Sequence, residues 1–436
     1  MPRSANADPA AIMGCGNFDN GKAGIQEGQQ FAVLKAAGVK SCRMPLYPYT
    51  YYWAHQRATP ERFDDAALQA HSFGITPVLL FEYYTRFPTP LGGYQVWHDI
   101  GQSFATRFRP NSPWWLAQGI ADYGVTVYAA INEPDIDKPM LTPHAYHDAL
   151  KGLADGVHAA GAELKVVPGG LAGPNSHSDY QCGGLVPAIA DLLNDGSLDG
   201  LDLHTYNGRW APLADHQHSA QHDFDAVKKA CGITRDIHFY TTEFNYQQAT
   251  GEGSTKDIGD TAAGSYFLTM IWDNLGVVGN QGACVTQLAL CWNLFNTTVP
   301  DTEYAMCTSL SPWTPNARGT AYQLVAGLTQ GMSLVKSDPY HAGSLILTGD
   351  HQTMWVWQDR PHWTDFPGAA CTLAGVPSGA TELKIYGYDG LRKTISLTGS
   401  ATVHVSDLPG NETYMFLADG ADDVTRAAVG PYTVGP

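Results

Sequence analysis

Short apolar segments alternate with amphipathic segments eight times between about residues 11 and 330. Two of the apolar segments, 77–81 and 125–131, are apolar at almost every position. That pattern is typical of parallel strands whose two faces are both buried. The predicted strands are 12–15, 41–45, 76–82, 126–131, 165–168, 200–206, 237–243 and 284–292.

Residues that begin helices stand between several of these strands. Thr59-Pro60 and Thr142-Pro143 each place a capping threonine before a first-turn proline, and Ser219 is a third candidate cap. These signals predict helices over 61–73, 143–160 and 220–231, and Asp257 precedes a fourth at 258–275. Eight strand–helix units in about 320 residues favour a (β/α)8 barrel, with an open doubly wound sheet as the alternative.

The pattern changes after Met332. Seven short strand-like segments follow, separated by Gly, Pro, Asp and Asn, which predicts an antiparallel β-sandwich-like domain. We therefore expect a catalytic barrel over 11–332 and a β-rich accessory domain over 333–436. No low-complexity linker separates them, so we expect the second domain to pack on the barrel and Trp355, Trp357 and Trp363 to be partly buried against it.

Composition excludes several functional classes. The 42 acidic residues outnumber the 25 basic ones and give a formal net charge of −17, which disfavours nucleic acid and anionic membrane surfaces as partners. No apolar stretch is long enough to span a bilayer, so no membrane insertion is expected. The sequence holds no CxxC pair, no GxxxxGK[ST] motif and no GxSxG motif, and Gly14-Cys15-Gly16 is too short for a dinucleotide fingerprint.

The amino terminus leaves the cellular compartment open. Residues 1–12 lack the apolar core of a signal peptide, although the segment 5–9 resembles one that follows a removed signal. A secreted or periplasmic location is compatible with such a cleavage.

Two glutamates stand where parallel strands end. Glu133, in Asn132-Glu133-Pro134, follows the fourth predicted strand, and Glu243, in Thr242-Glu243-Phe244, ends the seventh. The active sites of (β/α)8 barrels lie at the carboxyl ends of their strands. Strands four and seven face each other across the barrel, so the two carboxyls can approach to roughly 5–5.5 Å, the separation that retaining glycoside hydrolysis requires. The alternative for Glu133 is a solvated loop glutamate before a proline turn.

With these motifs the sequence resembles the clan A glycoside hydrolases over residues 11 to 330. The barrel followed by a β-sandwich looks most like glycoside hydrolase family 39. The resemblance implies that Glu133 is the acid/base, that Glu243 is the nucleophile, and that Asn132 hydrogen-bonds the sugar 2-hydroxyl. It implies a carbohydrate as substrate and partner, and the proposed chemistry needs no metal or other cofactor.

Further residues at strand ends are candidates for substrate binding. In similar barrels an arginine at the position of Arg43 orients the nucleophile. A histidine or an aromatic residue at the position of His204 or Tyr206 holds the nucleophile or lines the sugar site. A tryptophan at the position of Trp292 lies under the sugar. Strand alternation places His204 and Tyr206 on the same face of their strand. The alternative for His204 and Tyr206 is a packed core pair. It is a structural ion pair for Arg43 and simple core packing for Trp292.

Glu82 ends the third predicted strand, where relatives often carry a different polar residue. It either binds a sugar hydroxyl in an outer subsite or pairs with Arg86. The segment 82–112 is predicted to be a long loop with aromatic platforms for a carbohydrate, the alternative being a loop that buries its own aromatic residues. Its aromatic residues, with the two that follow it, are Tyr83, Tyr84, Tyr94, Trp97, Trp114 and Trp115.

A histidine cluster and two other functional classes complete the alternatives. His216, His218 and His222 lie close in sequence, but no further ligand recurs at a metal-binding spacing, so a solvated loop is favoured over a zinc site. A carbohydrate-binding barrel without turnover is the second functional hypothesis. An aldolase or metal-dependent hydrolase is the third, and the lack of lysine at the carboxyl ends of the predicted barrel strands argues against an aldolase. Sugar, linkage and oligomeric state are not predicted.

Overall fold

A computed structural model describes most of the chain. The described residues are 8–16, 27–46, 59–82, 93–137, 141–173, 180–207, 219–246, 259–292, 306–310, 312–339, 344–358, 369–410, 412–420 and 428–430.

Eight parallel strands form one sheet. They are β1 (Met13–Cys15), β2 (Ser41–Leu46), β3 (Thr76–Phe81), β4 (Val127–Ala130), β5 (Lys165–Pro168), β6 (Gly200–Asp202, continued by Thr205–Asn207), β7 (His238–Tyr246) and β8 (Thr286–Cys291). Their order in the sheet is β5-β4-β3-β2-β1-β8-β7-β6. All eight strands lie within one or a few residues of the predicted segments.

Hydrogen bonds between the two ends of this order close the sheet into a barrel. Asp199 N–H donates to the Val166 carbonyl at 2.9 Å, and His204 N–H donates to the Leu171 carbonyl at 2.8 Å. Leu171 and Leu203 form a parallel bridge between the same two segments. The (β/α)8 barrel is therefore confirmed, and the open sheet is excluded.

Helices cover the outside of the barrel. They are α1 (Pro9–Ile12), α2 (Glu27–Ala36), α3 (Asp64–Phe73, after a 3-10 turn at Pro60–Phe63), α4 (Gly93–Phe108), α5 (Pro113–Ala117), α6 (Pro134–Asp137), α7 (Pro143–Ala160), α8 (Leu185–Ala188), α9 (Ala190–Asp195), α10 (Ala220–Ala230), α11 (Gly259–Leu275) and α12 (Ala317–Leu328). The hydroxyls of Thr142 and Ser219 cap α7 and α10, as predicted. Thr59 precedes the 3-10 turn without a side-chain cap bond.

Helix α4 corrects the prediction that 82–112 is one long loop. Trp97, Gly101, Phe104, Ala105 and Phe108 form its buried face. Spacings of three, four and seven residues put these positions on one side of a helix. The helix therefore packs an apolar face against the barrel instead of walling a cleft.

Side chains fill the interior of the barrel and the layer between strands and helices. The interior holds a small buried cluster of Val78, Leu80, Ala129, Val167, Tyr240, Leu288 and Leu290. A much larger cluster occupies the layer outside the strands. Alternation along β2 shows the division: Cys42 and Met44 belong to the outer cluster, while Arg43 between them faces the opposite side.

A β-rich region follows the barrel. Its elements are a hairpin of β9 (Cys307–Leu310) and β10 (Trp313–Pro315), and the strands β11 (Ser333–Asp338), β12 (Ser344–Gly349), β13 (Gln352–Gln358), β14 (Ala369–Ala374), β15 (Glu382–Gly387), β16 (Gly390–Ser396), β17 (Thr402–Leu408), β18 (Thr413–Asp419) and β19 (Ala428–Gly430). One antiparallel sheet has the order β11-β12-β13-β18-β15-β16, and a second has the order β17-β14-β19. Every strand predicted after residue 332 is present, and β11 and β19 are two that the sequence pattern missed.

The larger C-terminal sheet packs on the barrel with one face and on the smaller sheet with the other. Met354, Val356, Met415 and Leu417 share a buried cluster with residues of α11. Trp355 and Trp357 point to the opposite face and belong to the cluster between the two sheets. The expectation that these tryptophans bury against the barrel is therefore wrong, because strand alternation gives that contact to their neighbours. Trp363 lies outside the described residues.

Among the described helices, none combines the length and the hydropathy that a membrane span requires.

Candidate active site

The carboxyl ends of the barrel strands hold the two predicted glutamates and the six strand-end candidates for substrate binding. Arg43 lies in β2, His204 in the break of β6 with Tyr206 in its continuation, and Glu243 in β7. Glu82 directly follows β3, and Trp292 directly follows β8. The pair Asn132 and Glu133 follows β4 after Ile131.

The chain around Asn132 adopts an unusual backbone conformation. Ile131 has φ +67° and Glu133 has φ +41°, in the left-handed region that β-branched and long side chains rarely adopt. Hydrogen bonds hold this turn in place: Ile131 N–H donates to the Phe81 carbonyl at 2.9 Å, and Glu133 N–H donates to the Gly170 carbonyl at 2.8 Å. Such strain persists only where surrounding contacts enforce it, and it is common at active sites.

Glu82 supplies a third contact to this turn. Its carboxylate accepts the backbone N–H of Asn132 at 2.6 Å, and only 7% of its surface is exposed. Glu82 thus supports the turn that carries Asn132 and Glu133. Its predicted contact with a sugar hydroxyl stays a prediction, and Arg86, the alternative partner, lies outside the described residues.

Glu243 is held as a carboxylate by three neighbours. One oxygen accepts from Arg43 Nη2, the other accepts the Tyr206 hydroxyl at 2.7 Å, and His204 Nδ1 lies 3.6 Å from that second oxygen. Burial by itself would raise the pKa of Glu243, but the positive charges of His204 and Arg43 and the bonds from Tyr206 and Arg43 outweigh it and lower the pKa. Glu243 is therefore suited to be the ionised member of the pair.

Arg43 connects the ends of four strands. Its Nε donates to the Gly16 carbonyl at 3.0 Å, and its Nη1 donates to Asn132 Oδ1 at 2.8 Å and to Thr242 Oγ1 at 3.2 Å. Desolvation alone would lower the pKa of Arg43, but the neighbouring Glu243 carboxylate raises it above the ordinary value. Arg43 is only 3% exposed, so it acts as a fixed positive charge beneath Glu243.

His204 lies between the two glutamates. Its Nδ1 is 2.9 Å from Glu133 Oε1, and its Nε2 is 3.2 Å from Thr242 Oγ1. Burial favours the neutral ring, but Glu243 and the bond to Glu133 prevail and raise the pKa of His204. Gly170, at φ +87°, packs directly against the ring, since a Cβ there would meet His204 Nε2 at 2.0 Å.

Glu133, His204 and Glu243 each offer a ligand-type atom, and these three atoms lie within 4.8 Å of one another. Among the described residues this is the one grouping with the spacing that a metal ion would need. Arg43 already neutralises Glu243 there, so a divalent cation would stand next to a fixed positive charge. The same distance also brings a Glu133 oxygen within 4.8 Å of a Glu243 oxygen.

The structure does not bring every predicted aromatic residue to the site. Trp97 and Trp115 have no exposed surface, and Trp114 packs under the Arg107 guanidinium at 5.2 Å, so these three belong to the helical layer. Tyr94 is 39% exposed on α4 and donates to Asp155. Tyr83 and Tyr84 lie outside the described residues.

Trp292 is half-buried at the end of β8. Its backbone N–H donates to the Phe244 carbonyl at 2.9 Å, and its carbonyl accepts from the Asn245 side-chain amide. These bonds fix the chain at the position predicted for the sugar platform, while stacking on a sugar stays a prediction.

His222 faces the helical layer, with its ring 5.9 Å from the Tyr180 ring and its Nδ1 3.6 Å from the Asp223 carboxylate. His216 and His218 lie outside the described residues.

Sequence reasoning missed Asp202 and Thr242. Asp202 is fully buried, and its two oxygens accept the N–H of Thr242 at 2.9 Å and its hydroxyl at 2.7 Å. Alternation could have revealed Asp202, which stands two residues before His204. Thr242 could not be found in that way, because the pairing of β7 with β8 shifts register between Thr241 and Phe244. That bulge lets Thr242 and Glu243 both reach the site.

No protein-family model and no curated protein sequence matches the chain. Solved structures do match over almost its whole length. A glucosidase from Croceicoccus marinus aligns with TM-score 0.63 and 13% identity, covering 97% of this chain and 98% of that one. A family 51 alpha-L-arabinofuranosidase from Bifidobacterium longum aligns with TM-score 0.60 and 14% identity over 95% and 97%.

A family 39 glycoside hydrolase from the gut symbiont Bacteroides cellulosilyticus WH2 aligns with TM-score 0.57 and 14% identity, covering 95% of this chain and 82% of that one. The chain has the fold of these glycoside hydrolases. The likeness includes the β-rich region after the barrel, and it confirms the fold that the resemblance to clan A glycoside hydrolases implied.

Proposed function

We propose that the protein is a retaining glycoside hydrolase in which Glu243 is the nucleophile and Glu133 the acid/base. The observation that carries the proposal is the pair of carboxylate oxygens within 4.8 Å of each other at the strand ends. Retaining enzymes hold their carboxyls about 5–5.5 Å apart, whereas inverting enzymes need roughly 6.5–9.5 Å to admit a water molecule. The folds of the neighbouring structures support the same reaction class.

The surroundings of the two carboxyls support different roles. Glu243 accepts hydrogen bonds from Arg43 and Tyr206, which keep it ionised and aim its oxygens for attack on the anomeric carbon. Glu133 is more exposed, with 19% of its side chain accessible against 7% for Glu243. It would protonate the leaving oxygen, and in the second step it would take a proton from the water that releases the sugar.

Asn132 and Trp292 are proposed to bind the sugar. The Asn132 amide oxygen is engaged by Arg43, so its amide nitrogen is the group left to donate to the 2-hydroxyl. An indole at the position of Trp292 offers an apolar face to the CH groups of a sugar ring. Arg43, His204 and Tyr206 act on the two glutamates, and Glu82 acts on the turn that carries Asn132.

We propose a β-linked oligo- or polysaccharide as substrate, and polysaccharide degradation as the process served. The neighbouring structures carry both glucosidase and alpha-L-arabinofuranosidase names, so the sugar has to be found by experiment. A panel of aryl glycosides identifies the sugar and also tests the second hypothesis. A carbohydrate-binding barrel without turnover would bind oligosaccharides while leaving the whole panel intact.

Azide rescue tests the assignment of the glutamates. Glu133→Ala should form the glycosyl-enzyme on substrates with good leaving groups, because these need little protonation, and it should then stall. Azide should restore turnover and give a β-glycosyl azide from a β-glycoside, as read by NMR. A positioned acid/base contributes about 10²–10⁴-fold, so loss on poor leaving groups should be of that order.

Glu243→Ala is the matched control. It should be inactive on every substrate, and azide should yield an α-glycosyl azide at most, because only the opposite face is opened by removing the nucleophile. An α-azide from Glu133→Ala, or full activity of Glu243→Ala, would reverse or reject the assignment.

A further inference from the structure

We propose that Thr242 and Asp202 fix the tautomer of His204, keeping Nε2 protonated so that Nδ1 shares a single proton with Glu133. Both are positioning residues, and the inference rests on the proposed role of Glu133 as the acid/base. It makes the Glu133–His204 pair, rather than Glu133 alone, the holder of the catalytic proton.

Thr242 Oγ1 has three side-chain neighbours, which are Asp202, Arg43 and His204. The hydroxyl has one proton, and its shortest contact is Asp202 Oδ2 at 2.7 Å. The backbone N–H of Thr242 donates to the other oxygen of Asp202 at 2.9 Å. The hydroxyl proton is therefore taken by the carboxylate, and the hydroxyl oxygen can only accept from its remaining neighbours.

Arg43 Nη1 lies near three side chains of the site. Its Nη1 carries two hydrogens, and its two shortest contacts are Asn132 Oδ1 at 2.8 Å and Thr242 Oγ1 at 3.2 Å. His204 Nε2 lies farther away, at 3.4 Å. Both hydrogens are thus used before the ring is reached, and Arg43 has none left to donate to His204.

It follows that His204 Nε2 must itself be the donor to Thr242 Oγ1, across 3.2 Å. The arginine by itself would favour the opposite tautomer, since a nearby guanidinium attracts a ring lone pair and repels a ring N–H. The buried Asp202 carboxylate, acting through Thr242, reverses that preference.

The consequence appears at the other ring nitrogen. His204 Nδ1 lies 2.9 Å from Glu133 Oε1 and 3.6 Å from Glu243 Oε2. With Nε2 protonated, a hydrogen bond between Nδ1 and Glu133 contains one proton, held either as the carboxylic acid or as the imidazolium. Release of that proton to the leaving group leaves a carboxylate and a neutral ring, and deprotonation of water restores it.

The charges around the ring are compatible with this cycle. His204 is faced by Glu133 after β4, by Glu243 on β7, by Arg43 on β2, and by Asp202 and Tyr206 on β6. Glu243 and Asp202 favour a proton on the ring, whereas Arg43 opposes it. Removal of the hydroxyl of Thr242 leaves Arg43 to decide, so Nδ1 becomes the protonated nitrogen, donates to Glu133 and stabilises its ionised form.

The test reads the tautomer in the free protein by NMR of ¹⁵N-labelled histidine, with the His204 signal assigned by its loss in His204→Gln. In the wild type and in Thr242→Ser we expect Nε2 to stay protonated at every pH while Nδ1 titrates. In Thr242→Val we expect the neutral ring to carry its proton on Nδ1. A wild-type neutral ring with an unprotonated Nε2 would overturn the inference, and neutron diffraction on wild-type crystals gives the same readout without any variant.

Kinetics supply the second readout. Relative to Thr242→Ser, Thr242→Val should shift the basic limb of the kcat/KM profile down by about one pH unit, a loss of about 10-fold above that limb. Substrates with good leaving groups should show little change. Equal losses on both substrate types would reduce Thr242 to a structural role. Inactivity of the wild type on all glycosides, with the expected NMR tautomer, would reject the proposed function but leave the tautomer assignment standing.

Discussion

At the scale of single residues, the site depends on charges that are paired before any substrate arrives. Arg43 neutralises Glu243, and its remaining donors hold Gly16, Asn132 and Thr242. Burial makes these contacts strong, because water does not screen them. The residues beside the two glutamates therefore decide what the glutamates can do.

Glu82 provides a test of the strained turn. Glu82→Leu removes the acceptor of the Asn132 N–H, so we expect the turn to relax and kcat/KM to fall by about 10- to 100-fold, the effect of displacing catalytic groups by about 1 Å. Glu82→Gln keeps an acceptor oxygen and should retain most of the activity. If Glu82 instead binds a sugar hydroxyl, both variants should raise KM for long substrates while leaving aryl glycosides unaffected.

A chelator tests whether the carboxylates work without a metal. Because Arg43 already neutralises the charge of Glu243, we expect activity to survive extended dialysis against EDTA. Added zinc should inhibit if it competes for Glu133, His204 and Glu243. Activity lost on dialysis and restored only by zinc would show that the same three residues form a functional metal centre.

At the scale of helices and strands, the packing of α10 against α11 buries two acidic side chains together. Asp223 is 3% exposed and Asp273 is 7% exposed. Burial, with the negative charge of Asp273 added, raises the pKa of Asp223 to about 7. Asp273 also accepts the N–H of Ala220 at the start of α10, so one carboxylate of the pair has a clear structural role.

The raised pKa makes the stability of this contact dependent on pH. An aspartate in the unfolded chain titrates near 3.9, so between about pH 4 and 7 the folded state holds the extra proton and stability falls as pH rises. Asp223→Asn should therefore raise the free energy of unfolding by about 2–4 kcal/mol at pH 8, and the gain should vanish near pH 4.

Chemical denaturation at the two pH values checks this expectation. Asp225→Asn, a half-buried position on the same helix, is the matched control and should change stability little at either pH. A less stable Asp223→Asn at pH 8 would mean that the ionised carboxylate makes favourable contacts that outweigh its burial.

At the scale of the whole molecule, the β-rich region and the barrel share one apolar interface. Met354, Val356, Met415 and Leu417 lie in the same cluster as Phe267, Ile271 and Trp272 of α11. Polar contacts cross the interface as well: the hydroxyls of Thr269 and Thr413 are 2.5 Å apart, and Gln358 donates to the Thr269 carbonyl at 3.2 Å. The two parts should therefore fold as one unit.

Removal of this contact should affect stability before it affects chemistry. A chain that ends at residue 332 should be aggregation-prone, because it exposes the apolar surface of α11. Met415→Asp should lower the free energy of unfolding by about 3–5 kcal/mol through the loss of packing and the burial of a charge. Thr394→Asp, on the exposed strand β16, is the control and should stay within about 0.5 kcal/mol of the wild type. A soluble, equally stable truncated barrel would show that the interface contributes little.

The sequence by itself determined the elements that depend on local pattern. Apolar runs between helix caps predicted all eight barrel strands, because the period of a sequence reports which side of each element is buried. The same reasoning predicted Glu133 and Glu243, since topology alone places the ends of strands four and seven at one face of a barrel. It failed for α4, whose aromatic residues suggested a binding loop although their spacing is helical.

Only the tertiary structure decided how these residues act on one another. Glu82 was predicted to meet a sugar or Arg86, and only the structure shows that it also accepts the Asn132 N–H, a contact between residues 50 positions apart. Thr242 reaches Asp202 and the site through a bulge in β7 that no periodicity encodes. The direction in which each pKa is shifted depends on burial and on charges brought together from separate strands. The local sequence determines on which strand and at which position a side chain stands, but its electrostatic environment exists only once the barrel has closed.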